Sequence, residues 1–119
     1  MDIEMFRDIC LSLDGVTEEF PFGPNTLVYK VNGKLFALTG LEMFESINLK
    51  CDPELAVELR ERYTAVQPGY HMNKQHWNTV LMDNTLPDRL IREWILHSYE
   101  LVRKKLPKKK IGQNRKFSL

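Results

Sequence analysis

Residues 68–78 read Pro68-Gly69-Tyr70-His71-Met72-Asn73-Lys74-Gln75-His76-Trp77-Asn78, which mixes two aromatics, two histidines, two asparagines, one glutamine and one lysine within eleven residues. Rings of this kind stack on bases. Lys74, Asn73, Asn78, His71 and His76 can donate to phosphates or base edges, which Leu or Val cannot do. The same residue types also build a loop with a core tryptophan and capped polar ends. A second candidate is the run from 103 to 116, with Arg103, Lys104, Lys105, Lys108, Lys109, Lys110, Arg115 and Lys116 and no carboxylate. Such a run can contact phosphates. It can equally serve as a solubilising tail behind a helix whose C-terminus favours cations.

Other chemistries find little in the sequence. His71 and His76 stand five apart, an interval that puts them on opposite faces if both lie in a strand, and neither cysteine lies at ligand spacing from a histidine or from the other. No His-Glu-x-x-His, Cys-x-x-Cys or Gly-x-Ser-x-Gly occurs. A dyad of Cys51 with His71 would need the fold to join them, and a buried thiol beside an unrelated histidine is the simpler expectation. The glycines are scattered at likely turns and form no phosphate-binding loop. The expectation is a non-enzymatic protein with no cofactor and no metal.

The elements that must position these residues follow from length and periodicity. A chain of 119 residues with 43% apolar and 28% charged side chains has the make-up of one globular domain. The opening Met1-Asp2-Ile3-Glu4 lacks the cationic start of a secretory signal, and no apolar run approaches a membrane span. A cytoplasmic monomer with Cys10 and Cys51 as buried thiols is expected. The net charge of +1 hides an asymmetry: residues 1–60 carry 11 acidic and 5 basic side chains, residues 61–119 carry 5 and 12. A polarised chain can form a patch that attracts an anionic partner.

Ile3, Phe6, Ile9, Cys10 and Leu13 mark an amphipathic helix over residues 2–13. Phe20-Pro21-Phe22-Gly23-Pro24 is a rigid connector whose aromatics are expected in the core. Asn32-Gly33 is a two-residue hairpin turn joining strands over 26–31 and 34–39. That register pairs Val31 with Lys34, Tyr29 with Phe36 and Leu27 with Leu38, and sets Leu27, Tyr29, Phe36 and Leu38 on a core face. Residues 46–51 alternate, with Ile47, Leu49 and Cys51 inward and Ser46, Asn48 and Lys50 outward. Asp52-Pro53 opens a second helix, and residues 76–82 read as a further strand. Thr85 and Asp88 look like a capping pair for a last helix with Leu90, Ile91, Trp94, Ile95, Ser98, Leu101 and Val102 on one stripe. Pro107 stops it, leaving a domain over 1–107 and a basic, mobile tail over 108–119. The predicted architecture is α+β: a single compact domain, an antiparallel sheet with helices on one face.

Several motifs in order carry a resemblance. Val16-Thr17-Glu18-Glu19-Phe20-Pro21-Phe22-Gly23, Ile47-Asn48-Leu49-Lys50-Cys51-Asp52-Pro53-Glu54, the 68–78 segment and Ser98-Tyr99-Glu100-Leu101-Val102 resemble the MmcQ/YjbR family over about residues 1–107. The resemblance implies a CyaY-like fold, related in shape to bacterial frataxin, and a DNA-binding role. The family's motif residues map to Lys50, His71, Asn73, Lys74, His76, Trp77 and Asn78; Lys108, Lys109 and Lys110 join them from the charge pattern. Two alternatives stand beside DNA. One is a small-ligand or protein-interaction module on an open sheet face. The other is frataxin-like metal handling by Asp2, Glu4 and Asp8 of the first helix.

Overall fold

The computed structural model describes residues 1–70 and 72–104. His71, the expected boundary at 107 and the basic segment with Lys108, Lys109 and Lys110 lie outside the described residues.

The chain runs α1 (Ile3–Leu11), β1 (Val16–Glu19), β2 (Thr26–Val31), β3 (Lys34–Gly40), β4 (Ser46–Lys50), α2 (Pro53–Arg62), β5 (Val66–Pro68), β6 (Trp77–Leu81) and α3 (Asp88–Lys104). The six strands form one antiparallel sheet in the order β1-β2-β3-β4-β6-β5. All three helices pack on one face: α3 on the central strands, α2 on β5 and β6, α1 beside β1. The α+β prediction therefore holds, with two strands more than the periodicity indicates. β1 and β5 are short edge strands. β1 offers one apolar residue, and β5 is three residues long and ends in Pro68, which an edge tolerates because a residue with no N–H costs no ladder bond on the outward side.

The Asn32-Gly33 turn forms as expected, with φ of 51° and 82°. Past Lys30↔Leu35 the register departs from the regular pairing: Tyr29 faces Ala37 and Leu27 faces Thr39, so Phe36 is an extra residue in β3. This bulge puts Phe36 and Ala37 both into the helix-covered core. It also turns Leu38 away from the core, beside Val28 and Asn48, which corrects its expected place. The Ser98 hydroxyl of α3 donates to the Phe36 carbonyl at 2.6 Å and accepts the Lys50 N–H at 2.9 Å. One buried hydroxyl thus ties α3 to both central strands.

Two further corrections concern loops. Phe20 and Phe22 are exposed, at 49% and 68%, because the Pro-rich connector turns outward at the end of the sheet. Thr85 does not cap α3: its N–H and hydroxyl are both taken by Asp83 Oδ1, at 3.1 and 2.6 Å. The helix starts three residues later, with the Pro87 carbonyl accepting from Leu90 and Ile91, and Asp88 meets the Met1 amine at 2.9 Å.

Candidate nucleic-acid interface

Alternation along β4 sends Ile47 and Leu49 into the core and Ser46, Asn48 and Lys50 to the face without helices. Cross-strand partners share a face. Trp77 opposite Lys50, Thr79 opposite Asn48 and Gln67 opposite Thr79 therefore lie on this open side. Over it passes the loop from β5 to β6. Gly69 starts the crossing: its N–H donates to the Trp77 carbonyl at 2.9 Å, and a Cβ there would sit 2.7 Å from Trp77 Cβ. Only glycine lets the two backbones approach so closely. The Tyr70 N–H then donates to Thr79 Oγ1 at 2.8 Å, and Thr79 donates to Asn48 Oδ1 at 2.6 Å. This relay fixes the loop to the sheet and leaves the Tyr70 ring 69% exposed.

Farther along, Asn73 Oδ1 accepts the Gln75 and His76 N–H groups at 2.9 and 3.3 Å, capping the turn. Lys74 Nζ donates to the Gly69 carbonyl at 3.3 Å and closes the loop on itself. Arg60 of α2 holds the loop from below. Its guanidinium donates to Asn78 Oδ1 at 2.7 Å, to the Trp77 carbonyl at 3.2 Å and to the Lys74 carbonyl.

The fold brings Lys50, Asn73 and Lys74 to one end of the open face, with Tyr70 among them. It does not bring Asn78 there. Adjacent strand residues point to opposite faces, so Asn78 faces α2, is 2% exposed, and its amide nitrogen reaches the Ala56 carbonyl at 3.5 Å. This corrects Asn78 from a contact residue to an internal clamp. Trp77 is on the open side but buried under the loop, and cannot stack on a base in this conformation. His76 is half-buried; its carbonyl accepts the Cys51 N–H at 2.8 Å. Arg60 escaped the sequence reading because its partners are distant in the chain. Tyr70 stood inside the segment singled out, but only the crossing over Thr79 shows it exposed.

Carboxylates near this end come from the start of α2, where Asp52 lies two residues after Lys50 and Glu54 borders Gln75 of the loop. β4 and residues 66–81 contain no Asp or Glu. Elsewhere on the sheet, Lys30 is paired with Glu19 at 3.1 Å. Cys51 is buried, and burial pushes its thiol up to about 11, which leaves it un-ionised near neutrality. Cys10 is buried as well, and burial raises its thiol further. Among the described residues no cluster of three or more His, Cys, Asp or Glu could hold a metal ion. Asp2 of the acidic first helix is engaged as its N-cap, accepting the Met5 N–H at 2.9 Å. No helix among the described residues is long and apolar enough to cross a membrane.

Behind Lys50, α2 and α3 meet at Asp52. Its carboxylate caps α2 by accepting from Glu54 and Leu55, and its own N–H donates to His97 Nε2 at 3.2 Å. That bond needs a neutral imidazole. Burial pushes His97 below its ordinary value near 6.5, with Asp52 opposing. A histidine with a depressed folded-state pKa contributes stability that is complete above about 6.5 and is lost as pH falls through the folded value. Urea unfolding at pH 7 and pH 5 should therefore show lower stability at pH 5. The decrement should shrink in His97→Gln, which cannot protonate. An unchanged decrement would assign the pH dependence elsewhere.

Comparison with known proteins agrees with this architecture. The family model YjbR matches residues 11–101. Protein YbdF of Escherichia coli O157:H7 is 38% identical over 100 residues, covering 83% of this chain and 82% of that one. Protein YjbR of Escherichia coli K12 is 33% identical over 111 residues, covering 92% and 94%. Both are described as uncharacterised. The crystal structure of Deinococcus radiodurans protein DR2400, domain DUF419, superposes with a TM-score of 0.82 at 40% identity, covering 87% of this chain and 79% of that one. A Pseudomonas syringae crystal structure gives a TM-score of 0.74 at 30% identity, covering 87% and 100%.

Proposed function

This chain belongs to the YjbR family, and on that premise we propose that it is a non-enzymatic nucleic-acid-binding module, with DNA as its leading ligand. The observation that carries the reading is that β4, β5, β6 and the loop between the last two hold no Asp or Glu, while Lys50, Lys74 and the exposed Tyr70 lie at one end of them. Lysines there can neutralise phosphates and release counterions. A tyrosine held out on a tethered loop can stack on an unpaired base. Asn73 spends its carbonyl oxygen on the turn, so its amide N–H groups are what it can offer to a phosphate or base edge. Two cations make a weak site by the standard of specific DNA binders, which favours non-specific or assisted binding. Such a protein would work in the cytoplasm, where the buried free thiols Cys10 and Cys51 stay reduced.

The test is a titration with duplex DNA, single-stranded DNA and RNA at two salt concentrations. In the variant Lys50→Gln, Lys74→Gln, duplex affinity should fall for every sequence. Its log–log salt slope should be shallower by about 1.8, from two phosphate contacts at ~0.9 each. Tyr70→Ala should weaken single-strand binding by roughly 1–3 kcal/mol, the contribution of one stacked base. Wild-type binding that is undetectable even at low salt would reject the proposal.

A further inference from the structure

We propose that the opposite end of the sheet, where the β1–β2 and β3–β4 loops meet, is a docking surface for a protein partner presenting a cationic segment with an apolar anchor. Phe20, Phe22 and Met43 are exposed there, at 49%, 68% and 72%. Isolated exposed apolar residues need no explanation, but these come from two adjoining loops. Leu41 N–H donates to the Asn25 carbonyl at 2.9 Å, and Thr26 pairs with Gly40.

Both loops are held in shape. Pro21 and Pro24 bracket Gly23 at φ 111°, and the Gly23 N–H closes a turn onto the Phe20 carbonyl at 3.3 Å. Phe44 sits at φ 48°, a conformation that a residue with a bulky side chain seldom adopts. Its ring packs on Phe6 at 5.7 Å between centroids, which anchors the loop inward while Met43 beside it stays outside. Backbone strain held in this way accompanies binding loops, and a pre-shaped loop loses little freedom on binding.

Charge selects the partner. Residues 20–29 and 35–49 contain Glu42 and Glu45 and no Lys or Arg. A depression of about 240 Å³ between the loops is lined by Asn25, Glu42, Met43, Phe44 and Glu45. On the α1 side a groove of about 440 Å³ runs past Ile3, Glu4, Phe20, Leu27 and Leu41. The cation in that groove, Arg7, is held by both carboxylate oxygens of Glu18 at 2.9 and 3.0 Å. Such a surface repels nucleic acid. It also disfavours a symmetric pairing with a second copy, which would set Glu42 and Glu45 against themselves. The fit is to apolar side chains framed by Lys or Arg.

The probe is a synthetic Lys/Leu peptide, with Glu/Leu and Lys/Ser peptides of equal length as controls, followed by amide chemical-shift mapping. Saturable shifts are expected at Phe22, Asn25, Glu42 and Met43 with the Lys/Leu peptide alone. Phe22→Ser, Met43→Ser should bind at least about tenfold more weakly. Glu42→Gln, Glu45→Gln should bind more weakly with less salt dependence, and DNA affinity should be unchanged in both variants. Equal binding of the Glu/Leu peptide, shifts scattered over other faces, or wild-type affinity in the variants would overturn the proposal. So would a concentration-dependent dimer abolished by Phe22→Ser, which would give the surface to a second copy.

Discussion

Trp94→Ala should lower the free energy of unfolding by about 3–5 kcal/mol, the usual cost of truncating a large buried aromatic. Trp94 stands on the buried stripe of α3 with Ile91, Ile95 and Val102. It meets the Tyr63 ring in an edge-to-face contact at 5.4 Å, and it walls the space that Leu49, Leu59, Val66 and Val80 also border. It therefore joins the end of α2, the sheet and α3. Removing it leaves a void where three elements converge, and the surrounding backbone cannot collapse far without breaking the sheet. A loss under about 1 kcal/mol in chemical denaturation would mean that α3 does not pack on the sheet in this way.

Arg60→Ala should cost roughly 1.5–3 kcal/mol, the range for hydrogen bonds involving a charged group, and its effect should be local. The substitution removes the donor to Asn78 Oδ1, an atom on a side chain 2% exposed, and frees the carbonyls of Lys74 and Trp77 from their common clamp. A buried acceptor left without a donor carries most of the penalty. Hydrogen exchange should quicken for amides between 69 and 78 while those of α3 keep their protection. Arg60→Lys should recover only part of the loss, since an ammonium cannot span three acceptors as a planar guanidinium does. Nucleic-acid affinity should fall with either variant although Arg60 itself lies behind the loop. Wild-type exchange in the loop would show that Arg60 is not what holds it.

Much of the fold is legible in the sequence because its signals are local. The Asn32-Gly33 turn, the Asp52-Pro53 start of α2, the alternation of β4 and the long stripe of α3 each occupy a few consecutive residues. What was missed depends on partners far along the chain. The bulge at Phe36 is matched to Ser98, 62 positions away. β1 exists because β2 offers it an edge, and β5 because β6 does. The Pro-rich connector bears apolar side chains, but nothing local says that the core is already filled by Phe6, Tyr29 and Phe36. The candidate site divides in the same way. Lys50 was placed correctly by alternation alone. Asn78 could have been placed by the same rule, since a strand that shows Trp77 to one face must show Asn78 to the other. The family resemblance names Asn78 by its place in the motif, which carries no information on strand parity. Asn73 and Lys74 reach the surface as expected, yet Asn73 also caps its own turn, so one residue serves the loop and can serve a ligand.

The central claim is that nucleic acid is bound on the open end of the sheet. The most direct measurement is an amide chemical-shift titration of the protein with a short DNA duplex at low salt. Saturable shifts should centre on Lys50, Tyr70, Asn73 and Lys74, fade as salt rises, and leave the outward faces of α1 and α3 and the Phe22–Met43 end undisturbed. Shifts confined to those other surfaces, or no shifts at any salt, would contradict it.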